Sequence, residues 1–136
     1  MKGQWTNIYS GDLALRSWWV DSVNDCKYVS ILLPEVFGIN NWIRSFSEKL
    51  AQQNLPVLAL PLYGRTAPNL DLEYSEEDLK LGRHHKNLTT LKNIIDDVSA
   101  AINWVKEKYP SKKISIIGFC FGGHAAFIAS SLKGIE

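Results

Sequence analysis

Residues 114–123, with the sequence ISIIGFCFGG, join a predicted strand to a predicted helix. Ile114 to Ile117 are rich in β-branched side chains, which predicts a buried strand, and the small and apolar residues after Gly123 predict a helix. The Gly-x-Cys-x-Gly-Gly pattern between them is typical of a nucleophile elbow with cysteine in place of serine. The glycines fit this interpretation, because the sharp turn strains the backbone and requires strand and helix to approach closely.

A cysteine on such a turn is placed for nucleophilic chemistry. The helix dipole and free backbone N–H groups at the helix N-terminus favour the thiolate of Cys120 over the thiol. The N–H of Phe121 could hold the oxyanion of a tetrahedral intermediate. The alternative is a small buried structural cysteine. Two other glycine-rich motifs fail on spacing, because no Lys-Ser or Lys-Thr follows for a P-loop and the glycines do not fit G-x-G-x-x-G.

Length and composition restrict the class of protein. The 136 residues are enough for one domain, 1–136, and 46% hydrophobic with 21% charged residues is ordinary globular composition. A formal net charge of +1 and the lack of a long Lys/Arg run argue against nucleic acid as a partner. The apolar runs are far shorter than the roughly 20 residues that cross a bilayer, and the first residues lack the apolar stretch of a signal peptide. The two cysteines form no Cys-x-x-Cys, so we expect neither disulfides nor a metal site, and a cytoplasmic location.

Strands and helices alternate along the chain. The predicted elements are a hairpin at 5–20, a strand at 28–33, a helix from Asn40 or Asn41 to about 54, a strand at 55–60, an excursion at 66–83, a helix at 88–105 and the strand at 114–117. The strands are almost continuously apolar, which is typical of strands covered on both faces. The sequence therefore predicts an α/β fold, a mainly parallel sheet with an N-terminal hairpin and helices on both faces. We also expect Trp18 and Trp19 to face opposite sides, one of them the core.

The excursion at 66–83 is acidic in its middle. Ser75-x-x-Asp78 could cap a short helix there. The simpler interpretation is a solvated surface segment, and the alternative is a flap near the mouth of an active site, since loops often have that role.

Three separated motifs resemble the dienelactone hydrolase family of α/β-hydrolases. They are Glu35-Val36-Phe37-Gly38-Ile39-Asn40 with Arg44 following, Leu62-Tyr63-Gly64-Arg65, and Gly118-Phe119-Cys120-Phe121-Gly122-Gly123. The resemblance runs from about Val29 to the C-terminus, with the same order and spacing. It implies the three-layer α/β-hydrolase sandwich and hydrolysis of a small ester or lactone, and it implies no cofactor.

The resemblance also implies the site residues. Cys120 would be the nucleophile, Glu35 would lie beside the thiol and control its proton, and the backbone N–H groups of Phe121 and Val36 would form the oxyanion hole. Glu35 has an independent argument, because it follows the strand 28–33 at the carboxyl edge where open α/β sheets bind ligands. Without the resemblance, a solvated loop carboxylate would be the simpler interpretation of Glu35.

The chain departs from the family pattern in its second motif. Family members usually have an aspartate directly before the Leu-Tyr, where this chain has Pro61. The family arginine that binds the substrate carboxylate has no aligned counterpart, since Arg83 is nearby but out of register. These departures leave the identity of the substrate open.

The triad is incomplete, because its acid and histidine follow the nucleophile in this fold. After Cys120 there are only His124, which points along the elbow helix, and Glu136. His84 and His85 are expected in an irregular surface segment, and the family gives them no catalytic role.

The strand 113–117 would also be an apolar edge, which pairs with something or aggregates. The expectations are therefore an N-terminal portion of a longer hydrolase, lacking the C-terminal strands and inactive alone, or a truncated product that covers this edge by self-association. A non-catalytic binding or assembly module is the alternative function. A redox-sensing thiol is a third, although no resolving cysteine is evident unless Cys26 is close.

Overall fold

The structure is a computed structural model that describes residues 2–34, 36–64, 66–67, 71–119, 125–126, 130 and 132–135. Its elements follow the predicted order through the strand 113–118, with a helix inside the excursion, and the helix predicted after Gly123 lies largely outside the described residues. The described strands and helices are β1 (Gln4–Ser10), β2 (Leu13–Val20), β3 (Tyr28–Leu33), α1 (Asn41–Gln52), β4 (Val57–Ala59), α2 (Glu76–Leu88), α3 (Leu91–Lys108) and β5 (Lys113–Gly118).

The five strands form one sheet in the order β1-β2-β4-β3-β5. β3 pairs in parallel with both β4 and β5, and the hairpin strand β2 joins the other side of β4 in the antiparallel sense. The crossover helices α1 and α3 cover opposite faces, as expected for strands buried on both sides. The predicted three-layer α/β fold is confirmed.

The side chains of the central strands alternate between two apolar cores. Ile31 and Leu58 pack with α3 on one face, whereas Leu32 and Ala59 pack with Ile43 of α1 on the other. This period of two is the geometry of a pleated strand, and it explains why the strands have almost continuous apolar sequences.

One polar pair interrupts the apolar interior of the sheet. Ser30 is fully buried and is directly opposite Ser115 in the parallel pairing of β3 with β5. Their hydroxyl oxygens are 2.6 Å apart, so one donates a hydrogen bond to the other. Ser115 is half-buried, so the bond mainly satisfies the fully buried hydroxyl of Ser30.

The hairpin and α1 confirm their sequence signals. Gly11 has φ of 62° in the turn between β1 and β2, which a residue without a Cβ adopts at no steric cost. Asn40 caps α1, because its side chain accepts a hydrogen bond from the N–H of Ile43. Of the two tryptophans, Trp19 is buried beside Trp104, whereas Trp18 is half-buried on the other face against Trp5.

Three boundaries differ from the prediction. β4 is limited to Val57–Ala59 and so is shorter than the predicted strand 55–60; Pro56, directly before it, has no N–H for the ladder. The helix α2 extends to Leu88, well beyond the short capped helix expected, so His84 and His85 are helical and not in an irregular segment. Thr90 caps α3, which therefore begins at Leu91.

Tyr109, the C-cap residue of α3, connects the end of this helix to the segment after β2 by a side-chain hydrogen bond. The hydroxyl of Tyr109 donates a 2.6 Å hydrogen bond to the carboxylate of Asp21, which follows β2. Burial, and then this hydrogen bond, raise the pKa of Tyr109 above its usual value.

We expect Tyr109→Phe to lower the free energy of unfolding by about 1–2 kcal/mol at pH 7, because the bond to a charged acceptor is lost. Above pH of about 10 the phenol ionises first in the unfolded chain, so the wild-type advantage should shrink as pH rises. Urea unfolding of both proteins at pH 7 and pH 10.5 measures this difference. If the difference in the free energy of unfolding were the same at both pH values, the hydrogen bond from Tyr109 to Asp21 would not be its cause.

Within the ranges given above, no helix is both long and apolar enough to span a bilayer.

Candidate active site

Three parallel strands end at the same edge of the sheet. Beyond their last paired residues, the N–H of Leu60 donates to the carbonyl of Leu32 at 3.0 Å, and the N–H of Phe119 donates to the carbonyl of Leu33 at 3.1 Å. The second bond fixes the residue before Cys120 beside the strand end that leads through Pro34 to Glu35. The carboxyl edge of parallel strands is where α/β folds place their ligands.

The predicted site residues are only partly within the described structure. Cys120, Glu35 and Phe121 lie outside the described residues, so their assigned roles stay predictions. Val36 is described and is half-buried in the turn that follows β3. What the structure defines is therefore the frame around the cysteine: the strand ends, the turn at Val36 and the segments packed on it.

The turn after β3 is held by hydrogen bonds to a distant segment. The carbonyl of Phe37 accepts from the N–H of Leu72 at 2.9 Å, and Gly38 forms an isolated antiparallel bridge with Asp71. Gly38 has φ of 77°, in the left-handed region that a side chain would strain. The glycine of the first motif is thus explained by its backbone conformation.

Arg44 links the same two segments by its side chain. Its Nη1 donates to the carbonyl of Ile39 at 2.7 Å and to the carboxylate of Asp71 at 3.0 Å. The arginine side chain is about one-fifth exposed, and Asp71 is about half exposed. A pair this open to water contributes little free energy by itself, so we assign it a role in orienting Asp71.

The helix α2 lies against the turn after β3. Among its thirteen residues only Gly82 is buried, and it packs directly on the backbone of Val36. The excursion is solvated over most of its surface, as expected, and Ser75 caps its helix by accepting from the N–H of Asp78. Its contact with Val36 was not predicted.

A histidine of α2 reaches the turn that follows β4. The His85 ring is stacked 6.4 Å from the buried ring of Tyr63, and its Nδ1 is 2.8 Å from the hydroxyl of Thr66. Partial burial, and then the neighbouring His84, lower the pKa of His85. His84 is exposed, as predicted for both histidines, whereas His85 is half-buried.

An aromatic cluster borders the elbow on the α1 side. Phe119 packs edge-on against Trp42 and Phe46, with both ring centroids 5.4 Å away. Trp42 and Phe46 are themselves stacked, and Trp42 is 45% exposed. The residue before the cysteine is thereby fixed from the side, and Trp42 presents an apolar surface to solvent beside it.

No group of three metal-ligating side chains occurs among the residues that the structure describes. The residues missed by sequence reasoning are Gly82, Asp71 and Leu72, all from the excursion. The available signal was Gly82 itself, because glycine inside a helical segment often marks a close approach.

Comparisons with known proteins agree with the motifs. A family model described as the dienelactone hydrolase family matches residues 18–135. A provisionally named carboxymethylenebutenolidase from Synechocystis is 31% identical over 110 residues, covering 79% of this chain and 45% of the relative. The carboxymethylenebutenolidase of Pseudomonas putida is 27% identical, covering 76% of this chain and 44% of its own length.

Solved structures share the fold. A provisionally named dienelactone hydrolase from Klebsiella pneumoniae superposes with a TM-score of 0.80 at 22% identity, covering 98% of this chain and 56% of that one. The dienelactone hydrolase of Anabaena variabilis superposes with a TM-score of 0.68 at 16% identity, covering 100% of this chain and 62% of its own. The chain spans less than half the length of the curated relatives named above.

Proposed function

The chain belongs to the dienelactone hydrolase family, and from this premise we propose that it carries the nucleophile of a hydrolase of small esters or lactones. The observation that supports this most is the hydrogen bond between the N–H of Phe119 and the carbonyl of Leu33. It places the residue before Cys120 and the strand that leads to Glu35 on adjacent strand ends. The chemistry of the site follows from that juxtaposition.

The reaction begins with the thiolate of Cys120. Its sulfur attacks the carbonyl carbon of the ester, and a C–S bond forms while the carbonyl oxygen becomes an oxyanion. The backbone N–H groups of Phe121 and Val36 stabilise that oxyanion. Collapse of the intermediate breaks the C–O bond, and a thioester remains on the cysteine. Glu35, which took the proton of the thiol, gives it to the departing oxygen, so an alcohol leaves.

Water then cleaves the thioester, and this step needs a general base. We propose that the triad histidine and its acid come from outside these 136 residues, because His124 and Glu136 are the only candidates after Cys120. The 136 residues alone would then form a thioester once and turn over poorly. No cofactor takes part in this scheme.

A second candidate function is a non-catalytic binding or assembly module. It is favoured by the coverage of less than half of the curated relatives and by the position of β5 at the end of the sheet order. Within the described residues, β5 pairs with β3 on one side and has a single isolated bridge, Ile114 to Ile135, on the other. We propose that further strands or a second copy cover this edge. A monodisperse monomer in sedimentation, with full stability, would contradict that.

The test of the proposed function is the alkylation rate of Cys120 against pH. Iodoacetamide is applied to the 136-residue protein, and peptide mass spectrometry follows both cysteines in one sample. Cys26 is the internal reference, since it is half-buried and lies before β3 at the opposite edge of the sheet. We expect Cys120 to react about tenfold faster or more at pH 6 to 7, because the elbow favours its thiolate.

Equal rates for the two cysteines, or an inert Cys120, would contradict the proposal and favour the non-catalytic module.

A further inference from the structure

The contact between Gly82 and Val36 is closer than any side chain permits. A Cβ at Gly82 would lie 2.3 Å from the carbonyl oxygen of Val36, 2.9 Å from its carbonyl carbon and 3.1 Å from its Cβ. Non-bonded carbon atoms are comfortable at about 3.5–4.0 Å, so either α2 or the turn after β3 would have to move by about 1 Å. The obstructing atoms belong mainly to the backbone and cannot rotate away.

The conformation of Gly82 does not require glycine. It lies in the middle of α2, and it is not among the described residues with a positive φ, which are Gly11, Gly38, Asn54 and Gly134. Glycine is a poor helix former, so its place inside the helix is explained by the approach to Val36 and not by local structure. Gly82 is also the only buried residue of α2, so its contact with Val36 is the most enclosed part of this helix.

The turn after β3 is held at three consecutive residues by the same excursion. The carbonyl of Val36 abuts α2, that of Phe37 accepts from Leu72, and Gly38 bridges to Asp71. These contacts leave the backbone at Val36 little freedom. The N–H of Val36 is attached through the same Cα as the carbonyl that α2 contacts, so a displacement of that carbonyl would also displace the N–H.

We propose that Gly82 is a positioning residue for the oxyanion hole. By letting α2 rest on the carbonyl of Val36, it holds this residue in place, and with it the N–H on the other side of the same Cα that would stabilise the oxyanion; this inference rests on the proposed function. An oxyanion donor acts only within about 2.7–3.1 Å of the developing charge, and a misplacement of about 1 Å can cost on the order of 100-fold in rate. The excursion is thus a support for the site.

The experiment compares two reactions of Cys120 in the wild type and Gly82→Ala. Acylation by p-nitrophenyl acetate passes through an oxyanion, whereas alkylation by iodoacetamide is a direct displacement at the sulfur and needs no oxyanion hole. We expect Gly82→Ala to lower the acylation rate constant by about 10- to 100-fold. The alkylation rate should stay within about threefold, because the thiolate itself is unchanged.

Lys80→Ala is the matched control, since Lys80 is an exposed residue of the same helix. It should leave both rates unchanged. Arg44→Gln is a second variant, because Arg44 orients Asp71 at the other end of the contact. Arg44→Gln should also lower the acylation rate more than the alkylation rate. It replaces Gly82→Ala in the experiment if circular dichroism shows that Gly82→Ala does not fold.

A parallel loss of acylation and alkylation in a folded Gly82→Ala protein would show a merely structural role and overturn the inference. Unchanged acylation would also overturn it. A wild-type Cys120 that is alkylated rapidly but never acylated is a different result, since it contradicts the proposed function itself.

Discussion

Cys120→Ala is expected to abolish the burst of p-nitrophenolate that the wild-type protein releases from p-nitrophenyl acetate. The sulfur forms the only covalent bond to the acyl group in the proposed reaction, so no other group can replace it. Removal of a nucleophile that acts with its neighbours can cost on the order of 10⁶-fold in rate, and we expect a loss of at least about 100-fold. Stopped-flow absorbance measures the burst, and intact-protein mass spectrometry measures the thioester.

Cys26→Ala is the matched control, because it removes the other thiol of the chain. Its burst amplitude should remain at one equivalent per protein. A burst that survives Cys120→Ala but disappears in Cys26→Ala would show that Cys26 is acylated instead, and would contradict the proposed nucleophile.

Ile31→Ala should produce the largest loss of stability among single substitutions in the sheet. Ile31 is fully buried in β3, between Leu58 of β4 and Ile116 of β5. Truncation removes apolar contacts and leaves a cavity, which costs about 2–5 kcal/mol in the free energy of unfolding. Because domains are stable by only about 5–15 kcal/mol, the unfolding midpoint in urea should fall sharply. Tryptophan fluorescence follows the transition.

Val23→Ala is the control, since Val23 is 78% exposed. It should change the free energy of unfolding by less than about 0.5 kcal/mol. Similar losses from the two substitutions would mean that β3 is not packed between its two neighbours as described.

Elements with a periodic apolar pattern could be predicted from the sequence. Continuous apolar runs predicted β3 and β5, and apolar residues at helical spacing predicted α1 and most of α3. Leu88 was assigned to the stripe of α3 but ends α2, because Thr90 caps the following helix and interrupts the pattern. The apolar pattern was sufficient to predict a strand or helix wherever that element buries one of its faces in the core.

The frame of the site could not be predicted, because its contacts are non-local. Gly82 rests on Val36, and Arg44 pairs with Asp71, across gaps of tens of residues that no spacing rule connects. The helix α2 is almost entirely solvated, so its sequence carries an acidic cap but no apolar stripe facing a core. The helix α2 packs on the protein by a close backbone contact at Gly82, and the pattern of polar and apolar side chains does not predict such a contact.

The hydrogen bond between the buried Ser30 and the half-buried Ser115 has a consequence for the register of β5. If β5 slid by one residue against β3, its core side chains would turn to the wrong face, but a slide by two residues would keep every face correct. Such a slide would separate the two serines and leave the buried hydroxyl of Ser30 without this partner, at about 1–3 kcal/mol. It would also move Phe119, the residue before Cys120, roughly 7 Å along the strand axis relative to Leu33. One hydrogen bond on the α1 face therefore helps to fix the register of β5, and with it the position of the residue that precedes the cysteine.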